Sequence, residues 1–350
     1  MSLDQESTAR PVGSPRGRWS EYTQLSRQIK QAGLLDRRRG WYAARIGLNL
    51  ALLAAGWAAF VVLGDSWWQL LTAAYLAVVF TQLAFVGHDA GHRQLFRSRR
   101  ANDLVGLAHA NLLTGISFGW WVPKHNAHHT NPNHEDLDPD ISIAALAFTA
   151  DQARSKHGLV RLIARYQGWL FFPLLLLEAA HLHLASIKAI VRGSGRANAM
   201  QGLLLLAHTA AYLGAVVWVL SPLQAIAFIV VQQGLFGLYL GCAFAPNHKG
   251  MPTLTEAEQL DFLRRQVLTS RNVAGSRLVD FVLGGLNYQI EHHLFPNMPR
   301  PNLRHAQPLI RAFCQQHGLP YTEASLFGSY AQAVRHLHTV GAPLRPAAAE

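Results

Sequence analysis

Four long apolar runs constrain the fold of this 350-residue chain more than any other feature. They are Ile46–Leu63, Trp67–Val86, Met200–Leu220 and Leu223–Ala245. Each is close to the ~20 residues that an α-helix needs to cross the hydrocarbon core of a bilayer. Residues 64–66 separate the first two runs and Ser221-Pro222 the last two, so each pair predicts a tight hairpin. The sequence therefore predicts an all-α integral membrane protein with four transmembrane helices in two hairpins.

Lys and Arg residues flank these runs on one side only. They are Arg37, Arg38, Arg39 and Arg45 before the first run, Arg93, Arg97, Arg99 and Arg100 after the second, Arg192 and Arg196 before the third, and Lys249 after the fourth. Because cytoplasmic segments are enriched in Lys and Arg, we expect both termini and all long segments in the cytoplasm, at a plasma (inner) membrane. The net charge of +11 then faces anionic lipid, and no motif indicates a nucleic-acid partner.

The segments outside the four runs predict smaller elements. Residues 1–20 predict a disordered tail, Tyr22–Tyr42 an amphipathic helix on the membrane surface, residues 21–335 one domain and residues 336–350 a C-terminal tail. A fifth apolar stretch, Trp169–Ile190, is interrupted by charged and histidine side chains. We interpret it as an interfacial helix, because a fifth crossing would reverse the orientation of everything that follows.

Eight of the 18 histidines form four clusters, all in segments outside the apolar runs. They are His88 and His92 in HDAGH, His125, His128 and His129 in HNAHH, His248 in NHKG, and His292 and His293 in EHH. Spacings of three and four residues place rings on one face of a helix, within reach of a common metal. All four clusters fall on the side that the basic residues define independently. A single histidine usually caps a helix, lies at the surface or is hydrogen-bonded in the interior. We interpret the remaining ten in that way: His109, His134, His157, His181, His183, His208, His305, His317, His336 and His338.

The number and spacing of the clustered histidines favour a dinuclear redox centre. Imidazole binds Zn, Cu, Fe and Ni alike, but zinc sites need only three or four protein ligands, whereas eight suffice for two ions. His292 and His293 would point about 100° apart on a helix, which suits two neighbouring ions. Asp136–Asp140 follows the second cluster and either orients ligand rings or forms a solvated turn. A zinc-binding or zinc-transporting membrane protein remains the alternative from a different class.

Longer stretches around the clusters carry a family resemblance. The segments GHDAGH, WWVPKHNAHHTNPN, DPDI and GGLNYQIEHHLFPNMPRPNL resemble the three histidine boxes of the membrane fatty acid desaturases, with the spacings H-x3-H, H-x2-H-H and Q-x2-H-H. The resemblance spans roughly residues 40–335, including TSRNV before the third box. It implies four transmembrane helices, interfacial helices and a helical cytoplasmic cap that holds two iron ions. It also implies a reaction that uses O2 and two electrons to form a cis double bond in an acyl chain.

The resemblance also implies roles for individual residues. The three boxes supply seven iron ligands, and His248 is similar to an extra ligand of some members, although Asn247 directly precedes it where relatives have a wider spacing. Asp89 is a candidate acceptor for the N–H of a ligand ring. Gln289 stands where many relatives have histidine, and we expect its amide to form hydrogen bonds, directly or through water, rather than to bind iron. Glutamine at this position resembles the subgroup that includes front-end desaturases.

The same resemblance predicts the partners. The substrate would be a fatty acyl chain carried by CoA or by membrane lipid. No H-P-G-G haem motif of a fused cytochrome b5 occurs in the sequence, so we expect a separate electron donor of the ferredoxin or reductase type. The abundance of Ala, Leu and Arg suggests a bacterial source. Within the same fold, a hydroxylase or ketolase acting on a lipid or carotenoid is the alternative.

Overall fold

The computed structural model describes residues 15–346, with side chains from residue 21 onward. Helices dominate this range, and its one sheet pairs two short parallel strands, β1 (Asn272–Ala274) and β2 (Glu323–Ser325). The helices are α1 Pro15–Gln31, α2 Arg39–Leu63, α3 Gln69–Gly91, α4 Arg99–Leu107, α5 Phe118–Thr130, α6 Ala150–Arg154, α7 Gly158–Leu175, α8 Glu178–Arg192, α9 Gly195–Val219, α10 Pro222–His248, α11 Phe262–Leu268, α12 Arg277–Val282, α13 Gln289–Leu294, α14 Arg300–Gln316 and α15 Leu326–Val340. A π-helix, Ala108–Thr114, follows α4, and a 3₁₀ turn, Ala342–Leu344, follows α15.

Four helices in the described range are long and apolar enough to span a membrane by themselves: α2, α3, α9 and α10. They confirm the four predicted spans and the two hairpins. The turns of the two hairpins lie together, because the backbone N–H of Ser221 donates a hydrogen bond to Asp65 Oδ1 at 2.8 Å. Helices α3 and α10 pack against each other, and both continue past the predicted apolar runs to carry His88 and His248.

The N-terminal part of the chain differs from the prediction. Helix α1 begins at Pro15, within the predicted tail, and ends at Gln31, whereas Tyr42 belongs to the first span. The left-handed backbone of Gly33 (φ 67°) lies between the two helices. The apolar face of α1, with Leu25 and Ile29, packs into the core of the cap against α13 and α14 rather than facing a bilayer. Residues 1–14 of the predicted tail lie outside the described residues.

The fifth apolar stretch forms two helices instead of the single helix expected for Trp169–Ile190. Helices α7 and α8 meet at an angle of 82°. Pro173 lies in the last turn of α7 and cannot donate a helical hydrogen bond, and the next turn closes with the tighter bonds from Leu176 N to Pro173 O and from Leu177 N to Leu174 O. Together the two helices have the length and apolarity of one broken span or of a re-entrant segment.

The C-terminal elements complete the cap. Helix α15 continues to Val340, past the predicted start of the C-terminal tail, and Leu337 and Leu344 are buried. Strand β2, just before α15, pairs with β1, which precedes the third histidine box. The cap therefore holds α13 between the two-stranded sheet, α11 and α14.

Candidate metal centre

Four helices bring the eight predicted histidines together at the cap-side ends of the spans. His88 lies in the last turn of α3 and His92 follows that helix. The second box lies on α5, His248 is the last residue of α10, and the third box forms α13. All eight side chains are buried. The structure thus gathers every predicted metal residue in one place, whereas none of the other ten histidines joins a potential metal-binding group in the described range.

The first histidine group consists of His88, His92, His125 and His292, whose ligand nitrogens all lie within 4.8 Å of one another. The Nε2 atoms of His125 and His88 are 3.1 Å apart. The Nε2 atoms of His92 and His292 are buried without any hydrogen-bond partner. Buried polar atoms are rarely left unpaired in proteins. These two unpaired nitrogens therefore indicate a position where a ligand binds.

The second histidine group consists of His128, His248 and His293. His248 Nε2 lies 3.3 Å from His128 Nε2 and 3.0 Å from His293 Nε2. The adjacent His292 and His293 therefore belong to different groups, as the sequence predicts for two neighbouring ions. Their ring planes are nearly perpendicular, at 85°.

Hydrogen bonds to Nδ1 fix the tautomer of each ring in the second group. His128 Nδ1 lies 3.0 Å from the Asp138 carboxylate, and His248 Nδ1 donates to the Thr269 carbonyl at 2.9 Å. His293 Nδ1 donates to Gln266 Oε1 at 2.8 Å, because the amide nitrogen of Gln266 already donates to the His129 carbonyl. In its neutral form each of these rings carries its proton on Nδ1 and presents the Nε2 lone pair to the other two.

Converging lone pairs about 3 Å apart repel one another unless a cation lies between them. Two nitrogens bound to one ion at ~2.1 Å are separated by about 3.0–3.4 Å when the angle between them is about 90–110°. The Nε2 separations of 3.0 and 3.3 Å in the second group and 3.1 Å in the first group fall in this range. The residues therefore fit two metal ions.

His129 lies between the two groups. Its Nε2 is 3.1 Å from His125 Nε2 in the first group. Its ring stacks on His293 of the second group, with centroids 4.1 Å apart. This position beside both groups suits a ligand of either ion.

Burial keeps the rings in the form that binds metal. Outside the spans, burial and the neighbouring histidines hold the pKa values of His92, His125, His129, His292 and His293 well below the ordinary value. These rings are therefore neutral at physiological pH, and metal binding does not have to displace a proton from them.

Two aspartates contact ring Nδ1 atoms. Asp89 Oδ1 lies 3.3 Å from His88 Nδ1, in the position expected for an acceptor. Its carboxylate also pairs with Arg300 at 2.5 Å and accepts a hydrogen bond from the Tyr42 hydroxyl at 3.1 Å. Asp138 is completely buried against His128. Of the two interpretations of Asp136–Asp140, the orienting role therefore describes Asp138.

Gln289 faces the second group, with its Nε2 2.8 Å from His248 Nε2. Its Oε1 accepts a hydrogen bond from Asn247 at 3.2 Å. The amide thus lies on the side of the second group where a further imidazole would complete four. The hydrogen-bonding role expected for Gln289 stays a prediction.

Three supporting residues were not predicted. Gln266 and the Thr269 carbonyl orient His293 and His248, and Arg271 binds the carbonyls of Pro246 and Lys249 on both sides of His248. All three lie in or near the TSRNV segment. This segment was part of the family resemblance, but the sequence analysis assigned it no role. The signal in the sequence that could have identified these residues was the set of polar side chains within and directly after α11.

An apolar cavity adjoins the first group. Its empty volume, including space open to solvent, is about 490 Å³, and apolar side chains form most of its wall. Its wall includes His88 and Trp121, and the Trp121 indole stacks on the His125 ring with centroids 4.3 Å apart. The other lining residues are Ala84, Phe85, Gly87, Ala110, Thr114, Ile116, Phe118, Leu182, Leu240 and Phe244. The cavity can place a hydrocarbon chain beside the metal-binding rings and exclude water from it.

The metal centre and the cavity agree with comparisons to known proteins. The sequence model of the fatty acid desaturase family matches residues 65–325. A Delta(8)-fatty-acid desaturase of Helianthus annuus is 28% identical over 93% of this chain and 74% of its own length. An acyl-lipid (9-3)-desaturase of Physcomitrium patens is 30% identical over 86% and 58%, and a Delta(6)-fatty-acid desaturase of Caenorhabditis elegans is 28% identical over 94% and 76%. These relatives are eukaryotic and lend no support to the expected bacterial source. The chain belongs to the fatty acid desaturase family.

Proposed function

We propose that this chain inserts a cis double bond into a fatty acyl chain at a centre of two iron ions held by the eight histidines. The observation that carries the proposal is the division of His292 and His293 between two groups beside an apolar cavity. One O2 accepts two hydrogen atoms, that is two electrons and two protons, from adjacent methylenes and a further two electrons and two protons from outside, which gives one double bond and two waters. Two iron ions held by these histidines would supply the activation of O2 that removal of hydrogen from an unactivated methylene needs.

The chain's own residues position the substrate and the rings. Cavity residues such as Phe85, Phe244 and Trp121 hold a methylene pair beside His88 and keep water away from it. Asp138 and Asp89 hold the rings of His128 and His88 in the tautomer that presents Nε2. Gln289 forms hydrogen bonds at the open side of the second group, directly or through water.

The position of the new double bond is proposed from Gln289 together with the named relatives. The Delta(8), Delta(6) and (9-3) descriptions of those relatives name bonds on the carboxyl side of the chain. Glutamine at the start of the third box resembles the front-end subgroup. We therefore propose insertion between an existing double bond and the carboxyl end.

The orientation of the protein in the membrane is inferred from its charge, and its electron donor is inferred from the reaction. Basic residues at the cap-side ends of the spans support a cytoplasmic cap and cytoplasmic termini. The two external electrons require a donor protein, for which we propose a separate ferredoxin or reductase.

The test is a His128→Ala variant expressed with a suitable electron donor, with His305→Ala, an exposed histidine of α14, as the matched control. We expect His128→Ala to lose bound iron and all new double bonds in the fatty acids measured by gas chromatography, and the control to keep both. Full desaturation without bound iron would overturn the proposal. A product that gains oxygen and no double bond would instead identify a hydroxylase.

A further inference from the structure

In the sequence, helix α12 lies between the cap helices α11 and α13, but in the structure it lies at the depth of the transmembrane spans. The amide nitrogen of Gln82 in α3 donates to the Phe281 carbonyl at 3.3 Å, and the Tyr239 hydroxyl in α10 donates to the Val282 carbonyl at 2.8 Å. Gln82 precedes His88 by about 9 Å along α3, and Tyr239 precedes His248 by about 13 Å along α10, at ~1.5 Å per residue. The C-terminal end of α12 is therefore on the membrane side of the metal centre.

The outer face of α12 is apolar and exposed. None of its residues is buried, and Leu278 and Phe281 expose 69% and 39% of their surface. Phe327, which is 83% exposed, follows Leu326, and Leu326 packs against the same buried apolar cluster as Val279 and Val282 of α12. Apolar surface of this kind, continuous with membrane spans, indicates contact with lipid.

The inner face of α12 covers the wall of the substrate cavity. Val279 and Val282 pack in one apolar cluster with Phe85 and Phe244, and both of these aromatic residues line the cavity. Gly284 follows α12 in a left-handed conformation, and a Cβ atom there would lie 2.5 Å from the Phe85 ring. On this side α12 and the glycine turn are therefore the layer between lipid and cavity.

Two arginines flank the exposed apolar face. The Arg45 guanidinium, at the cap-side end of the first span, lies 4.5 Å over the Phe281 ring. Arg277 precedes Phe281 by four residues, which places the two side chains on the same face of α12. Cations beside an apolar surface at the membrane boundary match the phosphate and acyl chains of a phospholipid.

We propose that α12 binds a phospholipid of the bilayer and is the lateral door through which an acyl chain of that lipid reaches the cavity beside His88. Gly284 (φ 61°) and Gly285 (φ 80°) form the turn at the end of α12, and glycine is the residue type whose backbone adopts the widest range of conformations at the point where such a door would pivot. The inference rests on the proposed desaturation and makes it more specific, because the acyl carrier becomes a membrane phospholipid.

The depth of α12 can be measured independently of desaturation. The protein with Cys242→Ser and Cys314→Ala is reconstituted in phospholipid nanodiscs and carries a nitroxide at Leu278→Cys or, as the control, at Leu309→Cys on the cap helix α14. We expect the label at 278 to collide more often with O2, which partitions into lipid, than with a water-soluble nickel chelate, and the label at 309 to show the reverse. Equal nickel accessibility at both positions would overturn the proposal.

The use of the door is tested by comparing substrates. Leu278→Glu places a charge on the lipid-contacting face, whereas Leu309→Glu places the same charge on the cap. We expect Leu278→Glu to reduce the desaturation of phospholipid acyl chains in the nanodisc by about tenfold, which corresponds to ~1.4 kcal/mol, and to leave desaturation of added acyl-CoA unchanged. The control should change neither rate.

Two results would contradict this expectation. Wild-type protein that desaturates acyl-CoA but no phospholipid would overturn the door, as would equal losses with both substrates in Leu278→Glu. If neither substrate is desaturated by wild-type protein, the proposed function fails, and the nitroxide measurement still decides whether α12 lies in lipid.

Discussion

The two histidine groups differ in how firmly their rings are held. In the second group every Nδ1 has its own acceptor, from Asp138, the Thr269 carbonyl or Gln266. In the first group His88 alone contacts a carboxylate, and the Nε2 atoms of His92 and His292 have no partner. The first group also adjoins the substrate cavity, whereas the second does not. This difference indicates that the geometry of the first group depends more on bound metal than the geometry of the second group does.

The two aspartates also differ in charge. Arg300 neutralises Asp89, and this pair is buried. Asp138 instead accepts hydrogen bonds from the backbone N–H groups of Asn133 at 2.7 Å and Asp140 at 2.8 Å. Burial alone would raise the pKa of Asp138, but its hydrogen bond to His128 lowers that pKa below the ordinary value. The carboxylate of the first group is thus paired with a buried cation, whereas that of the second group is held by backbone N–H groups and by His128.

The largest effects should follow from removing the two adjacent ligands one at a time. We expect His292→Ala to lose the ion of the first group and His293→Ala the ion of the second, each with a fall in desaturation of more than the ~100-fold typical of losing a supporting residue. Iron per protein, measured by mass spectrometry of the metal, should fall to about half in each variant. Loss of both ions in either variant would show that the two groups do not bind metal independently.

The aspartates should separate metal affinity from folding stability. Asp138→Ala should weaken iron binding in the second group by about 10–100-fold, because His128 loses the acceptor that fixes its tautomer. Asp89→Ala leaves the Arg300 charge buried without a partner, which typically costs ~3–5 kcal/mol, so its main effect should be a lower free energy of unfolding. Chelator titration and denaturant unfolding measure the two quantities. The double variant Asp89→Ala/Arg300→Met should recover stability, and failure to recover would exclude the buried charge as the cause.

Acid should destabilise the metal-free protein through both groups. The pKa values of His92, His125, His292 and His293 are lowered in the folded state, so the unfolded chain binds more protons below its ordinary histidine pKa of ~6.5. The stability of the metal-free protein should therefore be complete above about pH 6.5 and decrease as the pH falls toward the lower folded-state values. Melting temperatures between pH 7.5 and 4.5, with and without iron, measure the effect. Metal-free protein that melts at the same temperature throughout would contradict it.

The convergence of the predicted histidines can be anticipated from the sequence because its signal is local. Spacings such as those of His88 with His92 and of His125 with His129 specify one face of a helix whatever the rest of the chain does. The four spans are equally local, since apolar length alone determines them. The adjacent His292 and His293 predict a second ion for the same reason.

Contacts across the chain could not be predicted in this way. Gln266 lies 27 residues before His293, and Arg300 lies 211 residues after Asp89, so only the folded cap brings each pair together. The apolar face of α1 predicted a membrane surface, but an amphipathic helix can equally pack on protein, and Leu25 and Ile29 do so. The position of α12 against α3 and α10 likewise depends on hydrogen bonds that sequence spacing does not encode.

Gln289 should give the smallest effect and the sharpest comparison of the two groups. Gln289→Leu keeps the volume and removes the contact with His248, which is worth about 0.5–1.5 kcal/mol as an ordinary hydrogen bond. Because iron needs the His248 Nε2 lone pair that the Gln289 amide contacts in the metal-free protein, we expect iron in the second group to bind about 2–12-fold more tightly in this variant and iron in the first group to bind unchanged, as measured by chelator competition. Asn247→Leu is the matched control, since it removes the Gln289 partner while leaving Gln289 beside His248. A loss as large as that of His293→Ala would make Gln289 a direct ligand, and the second group would then hold its ion with four protein ligands, like the first.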